Sequence, residues 1–150
     1  MIRPEDNIFM REALIEAKKA YDMGEVPIGA VVVCNGEIIS RAHNTRESDK
    51  IATHHAEIIA IEKACQVLGD FRLTGCSLYV TLEPCPMCAG AIINSRLDRV
   101  VYGASDKKGG AVGSLINLFA VGFNHTPRLC VGVLEQECSE LLTCFFRENL

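Results

Sequence analysis

Two short segments, well separated along the chain, constrain its fold more than any other feature: His55-Ala56-Glu57 and Pro84-Cys85-Pro86-Met87-Cys88. Each follows a turn and opens a helix. Cys85 and Cys88 are three residues apart, so at the first turn of a helix both thiolates can face one metal ion. Helix N-termini favour thiolate over thiol, which is the form a metal binds. The imidazole of His55 brings the set to three protein ligands. A structural zinc site closes with a fourth, whereas three leave one position for water. The chain must therefore fold so that two helix starts meet.

That ligand set carries its own electrostatics. Two thiolates and a neutral imidazole cancel the charge of Zn²⁺, and a water in the remaining position can lose a proton near neutral pH. Glu57 follows His55 by two residues, so it points away from that side chain yet stays beside the same helix end. It is badly placed as a fourth ligand and well placed to take a proton. A Cys-x-x-Cys pair alone also occurs in structural zinc knuckles and redox pairs. Prolines on both sides of Cys85 and the upstream His-x-Glu favour the catalytic arrangement. His54 neighbours His55 at a helix start and is expected to point elsewhere, in a supporting or surface role. Cys34, Cys65, Cys76, Cys130, Cys138 and Cys144 lie in strand or helix patterns without ligand spacing, and read as small core hydrophobes.

At 150 residues the chain suits a single domain spanning 1–150. The start, Met-Ile-Arg-Pro-Glu-Asp-Asn, lacks a secretory apolar region, so the expected address is cytoplasmic, where thiols stay reduced. The formal charge of -4 excludes a broad nucleic-acid-binding surface. A nucleic acid must be gripped by a local patch, or by a dimer that combines two.

Residues Phe9, Ala13, Leu14, Ala17 and Tyr21 recur at helical spacing, and Gly24 ends that helix. Residues 28–34 form an apolar, β-branched run of the kind found in strands covered on both faces. Asn35-Gly36 marks a two-residue hairpin, with 37–42 returning antiparallel. Residues 56–68 are apolar almost all round and predict a buried helix closed by Gly69. Strands are expected at 77–82 and 99–104, with a helix from Pro86 to about residue 95 between them as a parallel crossover. The stretch 105–128 has a poor signal, and a loop that long is usually functional. A last strand at 129–133 and an amphipathic helix at 135–147 complete an α-β-β-α-β-α-β-β-α order, a sheet with helices on both faces.

The pairing of His-x-Glu with Pro-Cys-x-x-Cys is the signature of zinc-dependent nucleobase deaminases. From 11 to 147 the sequence resembles bacterial tRNA-specific adenosine deaminases. The resemblance is carried by Glu25-Val26-Pro27-Ile28-Gly29-Ala30, Asn44, His55-Ala56-Glu57-Ile58, Tyr79-Val80-Thr81-Leu82-Glu83-Pro84-Cys85, Cys88-Ala89-Gly90-Ala91 and Tyr102-Gly103-Ala104. Gly113-Ser114-Leu115 and Asn124-His125, inside the long loop, point to the tRNA branch.

This resemblance implies a cytidine-deaminase-like fold, a three-layer α/β/α sandwich around a five-stranded mixed sheet. It also implies one zinc ion per subunit held by His55, Cys85 and Cys88, and a homodimer whose interface helps to build the RNA groove. The implied reaction is hydrolytic deamination of adenosine to inosine at the wobble position of a tRNA anticodon stem-loop, with Glu57 as general base and then general acid. Asn44 is expected to contact the flipped adenine, and Asp106, Lys108 and Asn124 to belong to loops that hold flanking nucleotides. An asparagine offers adenine's edge both a donor and an acceptor, and lysines beside Gly109-Gly110 can meet phosphate at close backbone approach. The blander alternatives are that Asn44 terminates a strand and that Lys107 and Lys108 form a solvated loop face.

Three features depart from the family pattern: Ile51-Ala52-Thr53-His54 before the zinc histidine, Gly109 in the RNA-facing loop, and an end at Leu150 without a basic tail. Guanine deaminases share the zinc motif and are the nearest alternative. A non-catalytic zinc-stabilised binding module is the alternative of a different class. It requires a closed four-ligand site and unfolds on zinc removal.

Overall fold

The computed structural model describes residues 1–149. Its elements are α1 (Pro4–Asp22), β1 (Gly29–Cys34), β2 (Glu37–His43), α2 (Arg46–Asp49), α3 (Ala56–Leu68), β3 (Cys76–Leu82), α4 (Pro86–Asn94), β4 (Arg99–Ala104), a 3-10 turn (Leu118–Ala120), β5 (Arg128–Val131) and α5 (Glu135–Glu148). The five strands form one sheet in the order β2-β1-β3-β4-β5. β2, β1 and β3 pair antiparallel, while β3, β4 and β5 pair parallel, so the sheet is mixed as expected.

The apolar runs of the strands are explained by helices on both faces. Along β1, Ala30 and Val32 join a core with α3, α4 and Phe119 on one face, and Val31 and Val33 join α1 and α5 on the other. The same alternation splits Leu78 and Val80 from Tyr79 on β3, and Val100 and Tyr102 from Val101 on β4. This is the α/β/α sandwich. Gly29 shows how closely the α1 layer sits, since a Cβ there would lie 2.0 Å from the Ala13 carbonyl oxygen. Asp6, buried under that layer, accepts hydrogen bonds from both terminal nitrogens of Arg99 (2.7 and 2.8 Å) and from the Tyr79 hydroxyl (2.7 Å).

Parallel pairing brings the carboxyl ends of β3 and β4 to one edge of the sheet. The antiparallel partners bring the start of β1 and the end of β2 to the same edge. A crevice at the carboxyl ends of parallel strands is the usual place for a ligand, and the segments after β2, β3 and β4 all open there.

Several expectations shift. α1 starts at Pro4, ahead of the apolar periodicity, because the proline sits in the first turn and Asp6 accepts the Arg3 backbone N–H at 2.7 Å. The helix α2 was not expected. α3 is buried on one face only, through Ala56, Glu57, Ala60, Ile61 and Ala64, and leaves Val67 and Leu68 exposed near its end. The last strand spans Arg128–Val131 rather than 129–133, because Gly132 turns the chain at φ +89°. The 105–128 stretch is partly ordered: Phe119 of its 3-10 turn enters the core, and Leu118 donates to the Ala111 carbonyl at 2.8 Å. Of the six non-ligand cysteines, Cys76, Cys130 and Cys138 are buried, Cys34 and Cys65 are half-buried, and Cys144 is exposed. Cys144 is thus not a core residue, because it lies on the solvent face of α5. Among the described residues no helix is long and apolar enough to cross a membrane.

Candidate active site

His55 is the N-cap of α3 and Cys85 the N-cap of α4, with Cys88 in the first turn of α4. Pro86 holds that turn helical from its first residue. The two helix starts meet, as the ligand spacing requires. His55 Nδ1 lies 3.5 Å from the sulfur of Cys85 and 3.5 Å from that of Cys88. All three donor atoms fall within 4.8 Å of one another. Tetrahedral zinc, with bonds of about 2.05 Å to nitrogen and 2.3 Å to sulfur, separates those atoms by about 3.6 Å. The donor set therefore fits the ion in both spacing and softness. Among the described residues the group comprises these three side chains, without the fourth ligand of a closed site.

The two thiols push each other in opposite directions. Hydrogen bonding from Cys88, joined by His55, brings Cys85 down to about 4 against the effect of burial. The same hydrogen bond with Cys85, together with burial, pushes Cys88 up. A dication removes this antagonism, since both sulfurs can then be thiolates. Glu57 is 4% exposed and lies beside Cys88. Burial pushes its carboxyl up to about 7, opposed by its own backbone N–H and by His55. A group poised there can both take and return a proton at neutral pH.

These residues open into a cavity of about 710 Å³, ample for a nucleobase. Asn44, Asp106 and Lys108 line it together with His55, Glu57 and Cys85. Asn44 is buried; its amide donates to the Val26 carbonyl (3.2 Å), and its oxygen accepts the Arg46 N–H (3.1 Å). That leaves one donor and one acceptor position on the amide. Asp106 accepts the N–H groups of Lys108 and Gly109, each at 3.1 Å, in a tight turn that leaves Lys107 and Lys108 exposed at the cavity mouth. Asn124 is exposed farther along the same stretch and is not part of the lining. His54 faces Asp49 of α2, with Nδ1 2.7 Å from its carboxylate, and not the ligand group. Arg46, Lys107 and Lys108 are the basic residues of the cavity lining, where they stand beside Glu47 and Asp106.

Other lining residues had no place in the site expected from sequence, among them Leu142, Phe146, Glu25 and Glu83. Leu142 and Phe146 reach the cavity from α5, and Phe146 is 52% exposed. The adjacent Phe145 turns inward, edge-on to Tyr21 at 5.6 Å between ring centroids. Periodicity signals that one of two neighbouring aromatics faces outward, but not which surface it meets. Glu25 and Glu83 are buried in the walls. Glu25 accepts the N–H groups of Glu47 (3.0 Å) and Ser48 (2.5 Å), and so holds the start of α2.

The MafB19-like deaminase family profile matches residues 4–149. The tRNA-specific adenosine deaminase of Bacillus subtilis (strain 168) is 57% identical over 145 residues, covering 96% of this chain and 90% of that protein. A solved structure from work on A-to-I editing by tRNA:A34 deaminases superposes with a TM-score of 0.88 at 48% identity, covering 90% of this chain and 99% of the other. Guanine deaminase from Bacillus subtilis is more distant, at 32% identity and a TM-score of 0.65, covering 98% of this chain and 95% of that one. Matching nearly end to end, and bringing His55, Cys85 and Cys88 together beside a buried Glu57, this chain belongs to the tRNA-specific adenosine deaminases.

Proposed function

We propose that this chain hydrolytically deaminates adenosine to inosine at position 34, the wobble position of tRNA anticodons. The observation that carries the chemistry is the convergence of His55, Cys85 and Cys88 at 3.5 Å, with Glu57 buried beside them, inside a cavity of nucleobase size. The similarity to tRNA adenosine deaminases supports the substrate.

His55, Cys85 and Cys88 would hold one Zn²⁺, which would act as a Lewis acid and lower the pKa of water. Glu57 takes a proton from the attacking water as the C–O bond forms at the amidine carbon, and delivers it to the ring nitrogen. Glu57 then takes the remaining proton from the new hydroxyl as the carbonyl forms and gives it to the exocyclic amine, which leaves as ammonia when the C–N bond breaks. Asn44 orients the adenine edge through its free donor and acceptor positions. The target base must leave its stack to reach the cavity, and Leu142 and Phe146 keep the mouth apolar once it has entered. Lys107, Lys108 and Asp106 hold the flanking nucleotides, with Asn124 meeting the RNA farther out. Exposed Leu115, Ile116, Val121 and Phe123 supply an apolar surface for a homodimer, which would double the basic residues of the lining. The enzyme works in the cytoplasm as one domain.

The test is to incubate zinc-replete protein separately with an unmodified tRNA bearing adenine at position 34, with free guanine, and with free cytidine. Products are read by mass after nuclease digestion. Inosine confined to position 34, and lost in Glu57→Ala with zinc retained, is the expected result. Xanthine or uridine instead overturns the substrate assignment, and zinc loss in Glu57→Ala makes that residue a ligand.

A further inference from the structure

Glu83 is 2% exposed, yet among the described residues it faces no lysine or arginine at salt-bridge distance. Burying a carboxylate is costly unless its oxygens are satisfied. Here four donors satisfy them, all from one loop: the backbone N–H groups of Asp106 (3.1 Å), Val112 (3.2 Å) and Ser114 (3.0 Å), and the Ser114 hydroxyl. The loop is wound tightly around this carboxylate. A Cβ on Gly110 would stand 2.3 Å from the Glu83 carboxyl carbon and 2.5 Å from the Asp106 carbonyl oxygen. Ala111 also donates to the Pro84 carbonyl at 2.9 Å, a second tie between the loop and the strand end that carries Cys85. Ser114, at the centre of Gly113-Ser114-Leu115, therefore docks on Glu83.

We propose that Glu83 is a positioning residue for the deamination: it clamps the 105–114 loop, and through it fixes Asp106, Lys107 and Lys108 at the mouth of the cavity. The inference rests on the tRNA reading above. The carboxylate of Glu83 accepts from the loop and not from the His55, Cys85 and Cys88 group or Glu57. Its backbone N–H stays in the sheet edge on the Ala104 carbonyl, so the influence of the side chain runs through the loop. A loosened loop weakens the grip on RNA and leaves the reacting atoms in place, which raises KM more than it lowers kcat.

Glu83→Gln keeps the shape but turns one acceptor into a donor aimed at backbone N–H groups. In zinc-loaded protein with an anticodon stem-loop substrate, KM rises on the order of tenfold, as for a missing hydrogen bond to a charged acceptor. Expected alongside are unchanged zinc content and kcat within about threefold. Hydrogen exchange at the Asp106, Val112 and Ser114 amides accelerates on the order of tenfold, while that of β3 stays unchanged. In a Lys107→Ala/Lys108→Ala background, Glu83→Gln adds less than about a twofold rise in KM, because both changes act on one interaction with RNA. Ser114→Ala, which leaves the three backbone donors intact, moves KM and exchange in the same direction by less, and carries the test if Glu83→Gln does not fold. A fall in kcat at unchanged KM, full additivity with the lysine variants, or unaltered exchange at 106–114 overturns the proposal. If the unsubstituted chain makes no inosine from tRNA, the substrate reading falls, and the exchange measurement alone decides the clamp.

Discussion

The candidate metal corner and the proposed RNA-facing rim lie in one cavity but are built by opposite means. In the corner, each ligand is the cap or first-turn residue of a helix, and the donors meet because two helix starts meet. Backbone geometry places them, and burial sets the charge of Glu57. On the rim, Lys107 and Lys108 are exposed side chains on a loop held from beneath by a buried glutamate far away in sequence. Across the cavity α2 repeats the device, with Glu25 holding Glu47 and Ser48. Damage in the corner should therefore be all-or-none, and damage on the rim graded.

The largest effect tests the corner. Cys88→Ser should reduce bound zinc to a trace in metal analysis and lower inosine formation by more than about a thousandfold, since one ligand and the nucleophile's activation go together. Retained zinc with normal turnover would break the comparison at its strong end.

The next separates stability from both regions. Asp6 sits at a distance from the cavity, where burial raises its carboxyl but hydrogen bonds from Arg99, the Arg3 backbone and Tyr79 outweigh it and hold it down at about 2. Asp6→Asn should cost about 3–5 kcal/mol in denaturant unfolding, as when one member of a buried pair is removed, with KM of the folded protein unchanged. The sign of the pH effect follows from the lowered value. The Asp6 contribution is fully present above its unfolded pKa of about 4 and fades as pH falls towards 2. The acid limb of the stability curve should accordingly flatten in Asp6→Asn.

A smaller effect tests the rim. Lys107→Ala/Lys108→Ala should raise KM several-fold with kcat nearly unchanged. It should also reduce the salt slope of RNA binding by roughly 0.7 for each phosphate no longer neutralised. A collapse of kcat would place these lysines in the corner's class. The smallest effect concerns Cys144 on the exposed face of α5. Cys144→Ser should change stability by less than about 0.5 kcal/mol and remove the fastest phase of labelling by a thiol reagent.

Much of the fold was legible because the signals were local. Pro86 at a helix start, Asn35-Gly36 at a hairpin and the β-branched runs of β1, β3 and β4 each act over a few residues, and each lies within a residue or two of its observed place. The candidate cysteine pair was legible for the same reason, as Cys85 and Cys88 share a helical turn. α2 was not, because its four residues are capped by Glu25, on the far side of a hairpin. Nor was the order within 105–128, where a 3-10 turn forms because Phe119 finds a core pocket supplied by other elements.

What the sequence by itself determined is a donor set: two thiols, an imidazole and a carboxylate at two helix starts, with Gly113-Ser114-Leu115 and Asn124-His125 pointing to the tRNA branch. Only the tertiary structure decided which of Phe145 and Phe146 faces the cavity, that Cys144 is exposed, and that Ser114 closes on Glu83. Spacing within a turn is fixed by backbone geometry, whereas a contact between distant residues exists only once the sheet has brought their segments to one edge.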